Sequence, residues 1–297
     1  MDSISLGSQV VQYIFSGLTV GAIFALVALG FNIIYNVTEV INFAQGEFVV
    51  WGGLILAVLA ESLGIPLFLS FFISVGVVAL VGMGIYRAGI RPLHQPTILT
   101  MIMATIAISI ILKGLAMFIW GKDPYAVQPF VDAPPVMLWG AYIQVQTFWI
   151  LGISVALVVA LTLFFQRTLT GKAMRACADN PGAASLVGIS PGRMILFAFA
   201  LSAALGAVGG AIITPITLME YDRGAMLALK GFGAAILGGL GNFYGAVAAG
   251  FLLGLLESFA TGFISSSYKD AIALIVLLIV LFARPQGLMG SSLQGDE

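Results

Sequence analysis

Long apolar runs alternate with short polar interruptions from one end of the chain to the other. The pattern predicts hydrophobic helices near 10–35, 44–60, 66–86, 97–120, 146–165, 194–214, 226–240, 245–262 and 270–283. Runs of eighteen or more apolar residues recur, long enough to cross a bilayer as helices. The stretch 226–240 is short and broken by glycines, which reads as a half-helix or a re-entrant segment. Eight and nine crossings are both admissible. The expected fold class is an all-α polytopic membrane protein with some helices broken, a single transmembrane domain over 1–297. The longest predicted outer loop is 121–146. Its Pro124, Pro129, Pro134 and Pro135 forbid a long helix, and Trp139 and Tyr142 suit the headgroup layer.

Composition agrees with this reading. The chain is 60% hydrophobic and 8% charged, against about 25% charged in soluble domains. Its 36 glycines suit close approach of helices in lipid. Charge then orients the helices. Arg87, Arg91, Arg167, Lys172, Arg175, Arg193 and Arg284 fall on one side, whereas Lys122, Arg223 and Lys269 fall on the other beside Glu61, Asp123, Asp132, Glu220 and Asp222. The positive-inside rule makes the first side cytoplasmic. With nine crossings the amino terminus lies outside and the carboxy terminus inside. The segment Met1–Gln9 has no basic n-region and contains Asp2, so the first run reads as a span rather than a cleaved signal.

Little in the chain supports chemistry of its own. There is no GxxxxGK[ST] loop, no HExxH and no CxxC spacing. The lone Cys177 cannot form an intrachain disulfide, and the single histidine, His94, sits in the basic loop 87–96 as a solvated residue. No metal site and no nucleic-acid surface is expected. Polar residues within apolar stretches are more informative, because lipid offers them no partners. Glu39, Asn42, Gln45 and Glu47 lie in VTEVINFAQGEF, at the start of the second span. They either anchor the helix start or line a pathway through the membrane. Asn42 and Gln45 share a face if that segment is helical. Lys113 and Glu257 lie at depths that would let them form an intramembrane ion pair, and Lys230 is near enough to the outer surface to snorkel.

Two stretches look alike, 15–53 and 199–239. Each has a small-residue span, an acidic break and a glycine-spotted span ending in Gly-Gly. In the predicted topology they run in opposite senses, as an inverted repeat would, which places a pathway beside broken helices. Glycine-rich composition alone produces a similar likeness, and Asn42-Phe43 against Asn242-Phe243 is a rival register.

The longest polar interruption of the second half is 166–193. Asp179 or Asn180 can cap a short helix with Pro181 in its first turn, ending at Gly188. The segments GLTVGAIFALVALGFNIIYNVTEVINFAQGEFVVWGG, GKAMRACADNPGAASLVGIS and AILGGLGNFYGAVAAGFLLGLLE, in that order, resemble a known family. It is the shorter permease subunit of branched-chain amino acid importers of the ATP-binding-cassette type, of which some members carry urea, amides or aromatic acids. The resemblance implies an ABC importer permease fold in the bacterial cytoplasmic membrane. Its implied partners are a second homologous permease, two cytosolic ATPases that hold ATP and magnesium, and an extracytoplasmic binding protein. This chain itself would bind no cofactor. The resemblance also implies that Gly171, Arg175, Asp179, Asn180, Pro181, Ala183, Ala184, Gly188 and Ile189 form the contact through which the ATPase drives the membrane helices. The competing readings are a self-sufficient secondary transporter or channel, and a membrane-embedded enzyme. No inner-face cluster of His, Asp or Glu supports the last.

Overall fold

The computed structural model describes residues 6–93, 97–284 and 286–289; His94 lies outside them. Eleven α-helices are described: α1 Leu6–Thr38, α2 Gln45–Ala57, α3 Leu67–Ile85, α4 Ile98–Trp120, α5 Val145–Arg167, α6 Leu169–Asp179, α7 Pro181–Leu186, α8 Pro191–Ile213, α9 Gly224–Gly238, α10 Phe243–Phe263 and α11 Lys269–Ala283. A hairpin of β1 Val136–Leu138 and β2 Ala141–Ile143 occupies the proline-rich loop, where a long helix is impossible.

Among the described residues seven helical segments are long and apolar enough to span a bilayer: α1, α3 with its π-helical extension to Ile90, α4, α5, α8, α10, and α11 with the short turn before it. Two further passages use short helices, α2 and α9. Each follows a long buried helix and a non-helical return, 39–44 after α1 and 214–223 after α8. The glycine-rich stretch 226–240 falls on one continuous short helix of 15 residues, and α2 is its counterpart. The order of long helix, return and short helix, run in opposite senses, is the arrangement expected of the inverted pairing.

The return 39–44 leaves the helix through Glu39 at φ 55°, a left-handed conformation that costs a non-glycine residue about 1–2 kcal/mol. Polar backbone can sit inside a membrane protein only where protein satisfies it. Here Val40 N donates to Thr38 Oγ1, Ala44 N to Asn42 Oδ1 and Phe43 N to Thr105 Oγ1 of α4. Asn42 thus lies in the non-helical lead-in and only Gln45 and Glu47 are on α2, so the expectation that Asn42 and Gln45 share a helical face is corrected. The second return is pinned at the opposite end of the bundle, where Met219 and Tyr125 of the 121–144 loop exchange two backbone hydrogen bonds of 2.9 Å.

The centre of the bundle is α1 packed antiparallel on α10. Gly17 and Gly21 of α1 face Gly250 and Gly254 of α10, and a Cβ at any of the four would meet backbone atoms of the opposite helix. Two small-xxx-small pairs let the backbones close, which maximises dispersion contact where lipid supplies no hydrophobic drive. Polar bonds lock the end of this pair: Asn32 Nδ2 donates to Asn242 O at 3.0 Å and Asn36 Nδ2 to Gly241 O at 3.1 Å. Helices α3, α4, α5 and α11 surround the centre and keep large apolar side chains exposed.

Candidate functional site

The two short helices begin against each other. A Cβ on Gly46 would overlap the Gly224 carbonyl, so only glycine lets the starts of α2 and α9 meet. The polar residues predicted for the pathway converge here and are fully buried. Asn42 and Gln45 are 0% exposed and Glu47 is 1% exposed. Gln45 fills the space beside Gly30 of α1; its Nε2 donates to Ser202 O, and the single Ser202 Oγ proton is shared between Gln45 Oε1 and Gly30 O, both within hydrogen-bond reach. Glu47 packs its carboxylate on Gly224, and Oε1 accepts from Ser109 Oγ at 3.1 Å. Lys113 and Asp222 are near enough to act on it electrostatically. Among the described residues Glu47 Oε2 and Asn42 Nδ2 have no hydrogen-bond partner. All three residues lie inside this chain, on neither a lipid-facing nor an outward-facing surface.

The expected pair of Lys113 and Glu257 does not form. Lys113 Nζ sits over the Tyr221 ring at 5.7 Å. Glu257 instead accepts from Lys230 Nζ, 2.8 Å from both carboxylate oxygens, and Lys230 lies 2.6 Å from Asp270 Oδ1. Lys230 therefore ties α9, α10 and α11 together and does not snorkel. Depth along single helices misled because α9 is short and sits beside α10 and α11.

At the end that carries Arg87, Arg91 and Arg193, α6 and α7 make a surface. Thr168 caps α6 through Gly171 N, and α6 buries Gly171, Met174 and Cys177 while Lys172, Arg175 and Asp179 point outward. Gly171 is needed because a Cβ there would strike the Phe164 carbonyl of α5. Burial pushes the Cys177 thiol above its usual pKa. Asn180 caps α7, its Oδ1 accepting from Ala183 N at 2.9 Å, with Pro181 at the first helical position. Gly188 follows at φ 85°, and Ile189 N returns to Ala184 O at 3.0 Å, closing the helix. Ala183 is exposed, but Ala184 is 3% exposed and faces the chain's own interior, which removes it from any outward contact surface. Leu186 and Val187 take its place, 89% and 76% exposed. The sequence signal for them is two branched apolar side chains at the end of a capped six-residue helix that can bury only one face. Beside α6 a cavity of about 620 Å³ is lined by Asn36, Phe165, Lys172, Arg175, Asp179 and Gly241.

A bundle with two short helices meeting in its interior, and a short exposed helix at its basic end, is the architecture of a multi-pass membrane protein. Residues 13–281 match the family of the branched-chain amino acid transport system / permease component, and the chain belongs to that family. It is 31% identical over 292 residues to the high-affinity branched-chain amino acid transport system permease protein BraD of Pseudomonas aeruginosa, covering 94% of this chain and 95% of that protein. It is 30% identical, with the same coverage, to the corresponding protein LivH of Escherichia coli K12. A probable branched-chain amino acid transport permease of Methanocaldococcus jannaschii is 30% identical over 89% of this chain and 88% of its own length.

Proposed function

We propose that this chain is the shorter permease of an ATP-driven importer of branched-chain amino acids in the bacterial cytoplasmic membrane. The carrying observation is the end-to-end likeness to permeases of that transport system, across nearly the full length of both chains. Its partners are a second homologous permease, two ATPases on the side of α6 and α7, and a binding protein on the other side. ATP and magnesium belong to the ATPases. In this reading α7 seats in the ATPase through Ala183, Leu186 and Val187. Arg175 and Asp179 flank the seat as charges that can pair across the interface. Asn180, Pro181, Gly188 and Ile189 shape the helix, and Gly171 and Ala184 fix α6 and α7 to the membrane helices so that a displacement is passed on.

The test is reconstitution of the five-part system in vesicles with radiolabelled leucine. Uptake should require ATP, both ATPases and the binding protein, and should survive a protonophore. Gradient-driven uptake by this chain alone would overturn the reading in favour of a secondary transporter. Leu186→Asp with Val187→Asp should abolish co-purification of the ATPases while the permease still assembles. Normal coupling in that variant would show that α7 is only a connector.

A further inference from the structure

On the end opposite α6 and α7, a cavity of about 320 Å³ opens between α1, the α8–α9 return, α9, α10 and α11. Small-molecule sites begin at roughly this size. Val20 of α1 with Met226 and Leu227 of α9 gives it an apolar wall, backed by the buried Ile23 and Phe24. The facing wall carries Lys230, Glu257, Lys269 and Asp270. These four form two layers. The inner pair, Lys230 and Glu257, have side chains only 11% and 10% exposed and are bonded to each other at 2.8 Å. The outer pair stays open: Asp270 is 38% and Lys269 44% exposed. Lys230 holds Asp270 in place from below at 2.6 Å, and Lys269 stands 4.0 Å from Glu257. The two cations and two carboxylates cancel, while Arg223 at the rim faces Glu220 at 3.9 Å.

A neutral wall of separated opposite charges, facing an aliphatic one, suits a ligand with the same division. We propose that this cavity is an amino acid subsite at the outer mouth of the permease. Asp270 receives the α-ammonium, Lys269 receives the carboxylate, and a branched aliphatic side chain lies on Val20, Met226 and Leu227. The buried Lys230–Glu257 pair is the positioning base, since it fixes Asp270 without spending its exposed oxygen. A ligand with one of the two charges would leave the other wall group desolvated and unpaired, which disfavours it. Binding here is weak by design, because a site on a transport route must also release. The proposal rests on the amino acid import reading and adds the place where substrate first meets the membrane subunit.

The test uses the assembled permease–ATPase complex in nanodiscs, without binding protein, and saturation-transfer NMR. Three probes are compared: leucine, 4-methylpentanoate, which lacks the ammonium, and isopentylamine, which lacks the carboxylate. Leucine methyl signals should be at least tenfold stronger than those of either analogue. Asp270→Asn and Lys269→Gln, both at half-open positions, should each lower the leucine signal at least tenfold in complexes that assemble and melt like the parent. Equal signals from the three probes, or a leucine signal unchanged in both variants, would overturn the subsite. If the parent, reconstituted in vesicles with its binding protein, still imports leucine on ATP in that case, the permease reading stands and only this site is lost. Absence of ATP-driven leucine uptake in the parent would remove both.

Discussion

Helices α1 and α4 are equally apolar, yet 72% of the apolar stretch of α1 is buried in the protein and 17% of that of α4. Hydropathy therefore says that a helix is in the membrane and nothing about whether it is in the core. Glycine placement separates the two. In α1, Gly17, Gly21 and Gly30 each meet a neighbour at closer than van der Waals range for a Cβ, whereas the lone Gly114 of α4 has nothing within 4 Å. In a solvent as apolar as leucine, a helix gains by approach rather than by leaving water, so the residues that permit approach choose the core. The outer face of α4 keeps Met103, Ile110, Ile111 and Phe118 exposed.

The strongest test of this contrast substitutes one glycine in each helix pair. A leucine at Gly254 would drive carbon into Gly21 N and Gly17 O, and overpacking of backbone should cost about 3 kcal/mol or more. Gly254→Leu should then yield little folded protein, whereas Gly114→Leu should express and melt like the parent. Equal melting of the two in detergent would break the distinction. A smaller effect is expected from Ser202→Ala, which removes the hydrogen bond shared between Gly30 O and Gln45 Oε1 in the buried centre; the loss should be about 1–2 kcal/mol in thermal or denaturant unfolding. Thr162→Ala in α5 removes only an intrahelical bond to Val158 O and should be near neutral. On the open helix the sign reverses: Gly114→Ala should stabilise by roughly 0.5–1 kcal/mol, because alanine loses less entropy in a helix.

The same division of buried from exposed holds outside the membrane, on α6, with the smallest signal. The raised pKa of Cys177 leaves less thiolate at neutral pH, and its sulfur is buried. Maleimide should therefore modify native Cys177 at least tenfold more slowly than the introduced thiol of Lys172→Cys in a Cys177→Ser background. In sealed cells neither should react with an impermeant reagent added outside, whereas Asp132→Cys in the opposite loop should. Labelling at 172 but not at 132 would reverse the sidedness of the whole bundle.

Much of this architecture was legible along the chain. Apolar length is a local property, so the passages and the shortness of 226–240 could be read directly. So could the capped helix at Asn180, Pro181 and Gly188, since each of those residues acts within a turn of itself. The burial of Asn42, Gln45 and Glu47 followed from the absence of partners in lipid. The sequence also contained the glycines of α1 and α10, but not which of them face each other.

Tertiary structure alone decided the charge pairs and the facing of small residues. Glu257 found Lys230 rather than Lys113 because three consecutive helices, α9, α10 and α11, fold back on one another and bring Lys230, Glu257 and Asp270 to one point. Ala184 turned inward and left Leu186 outside because α7 has only one face against α6 and α8 and the others in the open. Hydropathy and capping are settled by a residue and its near neighbours. Rotation of one helix about its axis against another is settled by the shape of both, and a one-dimensional pattern of small residues leaves that rotation free until the helices have packed.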